Sequence, residues 1–223
     1  MCQILWEGSI HIDKLDWKLS NTQISDLLDY QKILDHRDLY WNELKSKHDV
    51  YNGYLLGVTD FIGNSFKCFT YSFKDHITIS RFGITLPRYL GNLGFKIHVI
   101  SPDGTRTVLG RRSHSIEYLG GWITTIGGMF ELSDIEGTIA DAVLRELHEE
   151  SGIVKDDLDW TSFRLISIMK EINGLAVDLI VEISLQNEVE LVPNDEWESL
   201  YWTMIDDIKI DNSTMLHINY LLP

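Results

Sequence analysis

The segment from Arg145 to Ile153, Arg-Glu-Leu-His-Glu-Glu-Ser-Gly-Ile, constrains this chain more than any other stretch. On a helix, a rotation of about 100° per residue puts Glu146, Glu149 and Glu150 within one arc. Like charges held that close destabilise a helix unless something compensates them. Hard divalent cations such as Mg²⁺ bind carboxylate oxygens together with substrate phosphates. The spacing therefore favours a platform for metal-assisted phosphate chemistry, whereas the alternative is a solvated acidic face on which Arg145 pairs with Glu149.

The residues around this segment predict a helix with defined ends and a buried face. Thr138 followed by Asp141 is a capping pair, and Gly152 stands where a left-handed residue ends a helix. The apolar residues between the caps recur at helical spacing and are Ile139, Ala142, Val143 and Leu147. A carboxylate cluster beside a core is costly to leave uncompensated, so each glutamate needs a cation. Before the helix, the glycines Gly127 and Gly128 would let backbone amides approach phosphate oxygens.

The sequence Gly127-Gly128-x-x-Glu131, followed by Arg145-Glu146-Leu147-x-Glu149-Glu150-x-Gly152-Ile153, resembles the signature motif of the Nudix hydrolases. The second half matches at every specified position, but the first half departs from the pattern. The family has a glycine fourteen residues before the arginine and a glutamate eight residues before it, where this chain has Glu131 and Gly137. A three-residue insertion in the loop 129–137 would reconcile the halves, and either Glu131 or Glu136 would then fill the acidic role.

The resemblance covers roughly residues 92–223 and implies an α/β fold. We expect a Nudix-type α/β/α sandwich with a mixed sheet in residues 92–223, preceded by an N-terminal α+β extension in residues 1–91. Strands are predicted over residues 95–100 and 105–111, which a turn at Pro102-Asp103-Gly104 joins.

The remaining elements agree with this order. Residues 163–171 and 176–185 flank Asn173-Gly174, a strong hairpin signal. A last strand over residues 200–204 precedes a short helix from Asp206 or later to the end. In the extension we predict a charged amphipathic helix over about residues 25–47 and a strand over residues 66–73.

The resemblance also implies hydrolysis of the pyrophosphate bond in a nucleoside diphosphate linked to another group, with Mg²⁺ or Mn²⁺. Glu146, Glu149 and Glu150 would be catalytic residues and metal ligands, joined by one of the two loop glutamates. Arg145 would hold the loop or a neighbouring glutamate by a bidentate pair. Family members often add a carboxylate from a late loop, and Glu196 and Glu198 precede the last strand here. The alternative interpretation of Glu196 and Glu198 is that they belong to an ordinary acidic surface loop. For the general base, Glu146 is the other candidate.

Two sets of residues are candidates for binding the substrate. Arg111 and Arg112 end a predicted strand where relatives present basic groups to phosphate, although an exposed basic pair is the alternative. Gly127 and Gly128 are the candidates for backbone contacts to phosphate.

The nature of the linked group is suggested by the N-terminal region. Its order of short motifs, among them Trp41, Asn52-Gly53 and Arg81-x-Gly83-x-Thr85, is similar to that of UDP-glucose-cleaving members of the family. A nucleotide sugar such as UDP-glucose is therefore the expected substrate. The alternatives are an ADP-ribose or dinucleotide pyrophosphatase and a non-catalytic nucleotide-sensing domain. Glycine at the expected glutamate position favours the sensor, whereas the three retained helix glutamates favour the hydrolase.

The composition limits the partners. A net charge of −15 argues against nonspecific binding of nucleic acid or anionic membranes and favours a small-molecule nucleotide substrate handled through a local cation. Two cysteines form no metal or disulfide framework, so a reduced cytoplasmic location is the simplest expectation. Neither a signal peptide nor a membrane span is expected. A homo-oligomer is left open.

Overall fold

In a computed structural model, the chain is described over residues 2–27, 30–47, 50–82, 91–115, 120–171 and 175–208. Eleven strands within these residues form one sheet. The strands are β1 (Cys2–His11), β2 (Asp16–Leu19), β3 (Tyr54–Ile62), β4 (Ser65–Ser72), β5 (Gly91–Ile100), β6 (Arg106–Arg112), β7 (Ile123–Thr124), β8 (Ile126–Met129), β9 (Leu158–Glu171), β10 (Ala176–Leu185) and β11 (Trp197–Met204). The helices are α1 (Ile24–Leu27), α2 (Tyr30–Lys45), α3 (Phe73–Phe82) and α4 (Ile139–Ser151). Short 3-10 turns lie at Ile12–Lys14, Leu132–Glu136, Lys155–Asp157 and Ile205–Asp207.

The sheet contains both parallel and antiparallel pairs. Its main path runs β1-β9-β10-β5-β3-β4-β2, and β6 links β5 to β7 and β11 beside this path. The pairs β10–β5 and β2–β4 are parallel, and the other pairs are antiparallel. The predicted α/β class with a mixed sheet is confirmed.

The central strand β5 determines where α4 packs. Its alternate residues Leu93, Phe95, Ile97 and Val99 are fully buried, as expected for side chains on one face of a strand. They share one core with the apolar stripe of α4, which consists of Ile139, Ala140, Ala142, Val143 and Leu147. Because each large side chain in such a core contributes about 1.5–3 kcal/mol, this stripe holds α4 firmly against the sheet.

The N-terminal region contributes strands to the same sheet. β1 pairs with β9, and β3 pairs with β5. The 3-10 turn that follows β1 contacts α4, and its Ile12 is buried in the main core. A second core lies between α2, α3 and the strands β3 and β4. The division into an extension of residues 1–91 and a domain of residues 92–223 stays a prediction.

One strand pairing differs from the sequence prediction. β6, predicted as residues 105–111, pairs with β5 only where Thr107 faces Ile100, and it continues against β11 and β7. Residues 94–97 of β5 instead pair antiparallel with β8. Gly127 permits this close pairing, because a Cβ at that position would lie 2.2 Å from the carbonyl oxygen of Phe95.

Several elements, among them β1, β2 and α3, have no counterpart in the sequence prediction. The strand predicted over residues 66–73 ends at Ser72, and α3 follows at once. The Asp75 amide donates to Ser72 Oγ at 3.1 Å, and the Ser72 hydroxyl donates to Asp75 Oδ2 at 2.8 Å. A reciprocal pair of this kind starts a helix, so the short polar residues end the strand.

Two other predictions fall at least partly outside the described residues. The hairpin turn Asn173-Gly174 lies outside them, and so does most of the helix predicted from Asp206, of which the structure describes a 3-10 turn at Ile205–Asp207. Within the described part of the chain, no helix combines the length and the apolar character that crossing a bilayer requires.

Candidate active site

Helix α4 carries the three glutamates, and both of its predicted ends are confirmed. The Asp141 amide donates to Thr138 Oγ1 at 3.1 Å, and the Thr138 amide donates to Asp141 Oδ2 at 2.9 Å. Gly152 follows the last turn with a φ of 75°, the left-handed conformation that glycine adopts without strain. The local sequence therefore fixes the position of every residue on this helix.

The three glutamates differ strongly in exposure. The Glu149 side chain is 53% exposed and that of Glu146 is 18% exposed, whereas Glu150 is 2% exposed as a residue. One carboxylate thus lies in solvent, one lies at the boundary and one lies in the interior. An interior carboxylate is costly to ionise unless a cation lies next to it.

Arg145 joins the loop before α4 to two of the glutamates. Its Nη1 donates to Glu146 Oε1 at 2.7 Å and to Glu149 Oε2 at 3.2 Å. Its Nη2 donates to both carboxylate oxygens of Asp134, at 3.2 and 3.4 Å. One guanidinium therefore holds three carboxylates in a fixed arrangement.

The loop carboxylate bound by Arg145 is Asp134, a residue that the sequence prediction did not select. Glu131 and Glu136 are exposed, whereas the Asp134 side chain is 7% exposed and also accepts the Glu131 amide at 2.8 Å. The motif spacing contains the signal, since the family pattern places its glutamate six residues after its glycine, and Asp134 stands six residues after Gly128. The extra residues then lie between Asp134 and Arg145. A metal-ligand role for Glu131 or Glu136 stays a prediction.

The glycines of β8 contact two of the glutamates. The Gly127 amide donates to Glu150 Oε2 at 3.3 Å. A Cβ on Gly128 would lie 2.9 Å from Glu146 Cδ, so the absent side chain leaves room for that carboxylate. The roles of these glycines in substrate binding stay predictions, and the Gly127 amide is bonded to Glu150 in this structure.

Burial and mutual repulsion raise the pKa of two carboxyl groups. The pKa of Glu150 rises to about 8, mainly because of desolvation and then because of the charges of Glu196 and Glu146. The pKa of Glu146 is also raised, mainly by burial, and the charges of Glu149 and Glu196 add to the effect. At neutral pH the buried Glu150 therefore favours its protonated form, and a cation beside it would favour the ionised form.

Glu196, one of the two predicted late-loop carboxylates, belongs to this cluster. Its charge raises the pKa values of both Glu146 and Glu150, and its Oε2 accepts a hydrogen bond from Arg112 Nη2 at 2.9 Å. The Arg112 guanidinium carbon lies 5.7 Å from the centre of the Trp197 ring. The loop before β11 thus adds a fourth carboxylate, which an arginine stacked on a tryptophan holds in place.

Glu198 and Arg111 have partners away from the carboxylate cluster. The Glu198 side chain is 54% exposed and lies 3.9 Å from His114 Nε2. Arg111 Nη1 donates to the carbonyl oxygen of Gly121 at 2.6 Å. The predicted basic pair therefore has two separate sets of contacts, and a contact of either arginine with substrate stays a prediction.

The donor set suits a hard divalent cation, although the carboxylates do not converge on one point. Within the described residues, no group of three or more His, Cys, Asp or Glu side chains is arranged to hold a metal ion. Their present partners explain why: Arg145 holds Glu146 and Glu149, and the Gly127 amide holds Glu150. Carboxylate oxygens are the ligands that Mg²⁺ prefers, and a cation would relieve their repulsion. The residues thus fit the metal by their chemistry.

Comparison with known proteins gives matches to one family. A model of the NUDIX domain matches residues 94–220, more than half of the chain. The NAD-capped RNA hydrolase NUDT12 of Macaca fascicularis is 36% identical over 97 residues, which cover 42% of this chain and only 20% of that protein's length. Among solved structures, the MutT protein from Methanosarcina mazei Go1 is 15% identical with a TM-score of 0.44, covering 58% of this chain and 88% of the other. A bifunctional NMN adenylyltransferase/ADP ribose pyrophosphatase from Francisella tularensis is 17% identical with a TM-score of 0.42, covering 60% and 37%.

Proposed function

The chain belongs to the Nudix hydrolase family, and from this premise we propose that it uses Mg²⁺ or Mn²⁺ to hydrolyse the pyrophosphate bond of a nucleoside diphosphate linked to another moiety. The strongest support for a metal site is that Glu150 is buried beside Glu146 and Glu196 and has a pKa of about 8. A divalent cation at this position offsets the cost of ionising that carboxyl. Glu146, Glu149 and Glu150 are the proposed metal ligands.

The surrounding residues have distinct roles in this proposal. When bound, the metal supplies the positive charge that phosphate oxygens and an attacking water need. Glu196 accepts the proton of that water at Oε1, because its Oε2 is bonded to Arg112. Glu146 is the second candidate for this base. Arg145 positions the loop, Glu146 and Glu149. A catalytic role for Glu198 stays a prediction.

The proposed substrate is a nucleotide sugar such as UDP-glucose, cleaved to UMP and a sugar 1-phosphate. The support is the order of short motifs in residues 1–91, of which residues 83–90 lie outside the described part of the chain. The net charge of −15 agrees with a small substrate reached through a local cation, since a long polyanion would be repelled by the rest of the surface.

A dinucleotide is the second candidate. Its support is the 36% identity to a protein named as a NAD-capped RNA hydrolase, because NAD is itself two nucleosides joined through a pyrophosphate. The two candidates differ in the nucleoside monophosphate that cleavage releases, which makes them separable in one assay.

The assay incubates the protein with Mg²⁺ and UDP-glucose, UDP-galactose, ADP-ribose, NAD or a diadenosine polyphosphate, and quantifies UMP and AMP by chromatography. The Glu150→Gln variant is the control for contaminating hydrolases. Preferred release of UMP from the UDP-sugars supports the nucleotide-sugar proposal, and preferred release of AMP supports the dinucleotide or ADP-ribose alternative. Thermal stabilisation by one of these compounds without turnover of any of them would overturn the hydrolase proposal in favour of a nucleotide sensor.

A further inference from the structure

Lys96 on β5 is a basic side chain beside the carboxylate cluster. It is half-buried and faces Gly127 in the antiparallel pairing of β5 with β8. A Cβ on Gly127 would lie 2.9 Å from Lys96 Cδ, so the aliphatic stem of the lysine passes over a position of β8 that has no side chain. The missing side chain thus leaves room for the Lys96 stem.

The stem of Lys96 leads towards Glu150. The Gly127 amide donates to Glu150 Oε2, and β8 pairs only with β5 among the described strands. Glu150 therefore lies beside the edge of β8 that pairs with no described strand, next to the glycine that the lysine stem contacts. In agreement with this geometry, the charge of Lys96 acts on Glu150 and lowers its pKa against the stronger effects that raise it.

The other basic side chains of the site already have protein partners. Arg145 binds Asp134 and two glutamates, Arg112 binds Glu196, and Arg111 binds the Gly121 carbonyl. The ammonium of Lys96 makes no hydrogen bond or ion pair to any residue that the structure describes. A positive charge of this kind near Glu150 is available to a ligand.

We propose that the Lys96 ammonium binds a phosphate oxygen of the substrate's diphosphate group. The inference rests on the proposed function and deepens it by naming a substrate contact on β5. A diphosphate that approaches four carboxylates is repelled unless cations face it, and a lysine is a compact point charge suited to phosphate. Once a divalent cation compensates the carboxylates, the charge of Lys96 is directed to the phosphate.

A purely structural role for Lys96 gives different expectations. If the lysine served only to compensate Glu150, its removal would change metal binding and leave diphosphate binding in the presence of metal unchanged. The two roles therefore separate when metal and diphosphate are titrated independently.

The probe is methylenediphosphonate, whose P–C–P bridge is not hydrolysed and which carries no nucleoside. Its affinity is measured by calorimetry with saturating Mg²⁺ for the wild type, Lys96→Gln, Lys96→Arg and the control Lys67→Gln, an exposed lysine of β4. Loss of one charge-assisted hydrogen bond weakens binding about tenfold to hundredfold, which is the effect expected for Lys96→Gln. Lys96→Arg is expected to retain most of the affinity, and Lys67→Gln all of it. Circular dichroism melts confirm folding.

Two results would overturn the proposal in distinguishable ways. Wild-type affinity in Lys96→Gln, with Mn²⁺ affinity in the absence of diphosphonate changed or unchanged, removes Lys96 from the substrate site and leaves the hydrolase proposal standing. Absence of both diphosphonate binding and pyrophosphate hydrolysis in the wild type removes the proposed function, and the role of Lys96 falls with it.

Discussion

Glu150 is subject to two opposing requirements, which makes it the most informative single residue. It is buried next to Glu146 and Glu196, so the metal-free fold favours its protonated form. As a metal ligand it has to be ionised. A carboxyl group that is costly to ionise in the interior is typical of a site that function maintains at the expense of stability.

The Glu150→Gln variant is predicted to be more stable than the wild type at alkaline pH when metal is absent. The folded-state pKa of about 8 exceeds the ordinary value of 4.5 for a glutamate, so the stabilising contribution of the protonated carboxyl is complete below pH 4.5 and is lost as the pH rises through 8. At pH 8.5 the variant should gain about 2–4 kcal/mol, and near pH 4.5 it should gain none. Urea denaturation with EDTA at the two pH values measures the difference. The exposed Glu149→Gln is the control, and an equal gain for Glu150→Gln at both pH values would disprove the burial argument.

Changing Gly127 to alanine is predicted to lower stability, whereas changing Gly128 to alanine is predicted to lower turnover. The new Cβ of Gly127→Ala meets the Phe95 carbonyl at 2.2 Å, so the fold loses about 1–3 kcal/mol or more. The new Cβ of Gly128→Ala meets only the end of the Glu146 side chain, which can rotate away, so stability changes little and turnover falls. Chemical denaturation and steady-state kinetics separate the two outcomes. Gly53→Ala, whose Cβ meets nothing closer than 3.6 Å, is the control, and equal losses of stability at 127 and 128 would refute this account.

At the scale of elements, the loop before α4 and the helix itself act as one unit because Arg145 binds both. Asp134 accepts two hydrogen bonds from this guanidinium and one from the Glu131 amide, so it fixes the loop and the arginine together. Arg145 in turn holds Glu146 and Glu149. The position of the carboxylates thus depends on a loop residue that need not contact substrate.

Asp134→Asn is predicted to lower turnover about tenfold to hundredfold, as the loss of a partner that orients metal ligands commonly does. The amide keeps the size of the side chain but loses the charge that holds Arg145, so circular dichroism should still show a folded chain. Glu131→Gln and Glu136→Gln serve as matched controls in the same loop and should have near-normal rates. Normal rates for Asp134→Asn together with loss of activity in either control would return the loop role to the residue predicted from the sequence.

At the scale of the whole molecule, the N-terminal region and the motif-bearing region share one sheet and one core. β1 lengthens the sheet beside β9, and the 3-10 turn after it packs against the helix that carries the glutamates. The stability of α4 should therefore depend on residues far from the motif.

Ile12→Ala is predicted to cost about 2–4 kcal/mol of the free energy of unfolding, because Ile12 is 1% exposed in the core shared with α4. Urea unfolding followed by far-ultraviolet circular dichroism and by tryptophan fluorescence should give one coincident transition that shifts as a whole. Ile4→Ala, at a residue that is 49% exposed, should shift it very little. Two separate transitions, with only one affected by Ile12→Ala, would instead show that residues 1–91 fold as an independent domain.

The features predictable from the sequence were those that depend on neighbouring residues. The capped helix from Ile139 to Ser151 follows from Thr138, Asp141 and Gly152, and the glutamates follow from their spacing along it. The pairing of β5 with β8 is not predictable from neighbouring residues, because it depends on the close approach of Gly127 to the carbonyl oxygen of Phe95. Predicting strands and helices from neighbouring residues gives no information about contacts between residues that are distant in sequence.

For the candidate site, the sequence likewise predicts residues from their place in the chain but does not predict their contacts. The place of Glu196 in the chain puts it among the candidates, but only the folded chain shows that it pairs with Arg112, an arginine that the sequence predicts to contact phosphate. Asp134 has the expected spacing only when the motif is counted forward from Gly128, because the extra residues lie between Asp134 and Arg145. Lys96 carries no local signal, since its stem reaches the cluster only across a strand that is distant in sequence.

The central claim, that the glutamates of α4 bind a divalent cation, is tested most directly by calorimetric titration of the metal-free protein with Mn²⁺ in buffers of different ionisation enthalpy. At pH 7 the wild type is predicted to bind Mn²⁺ and to release about one proton, since Glu150, with a pKa of about 8, must lose its proton to become a ligand. Glu150→Gln should bind at least about tenfold more weakly and release no proton from this position. Absence of Mn²⁺ binding by the wild type, or equal binding with equal proton release by Glu150→Gln, would contradict the claim.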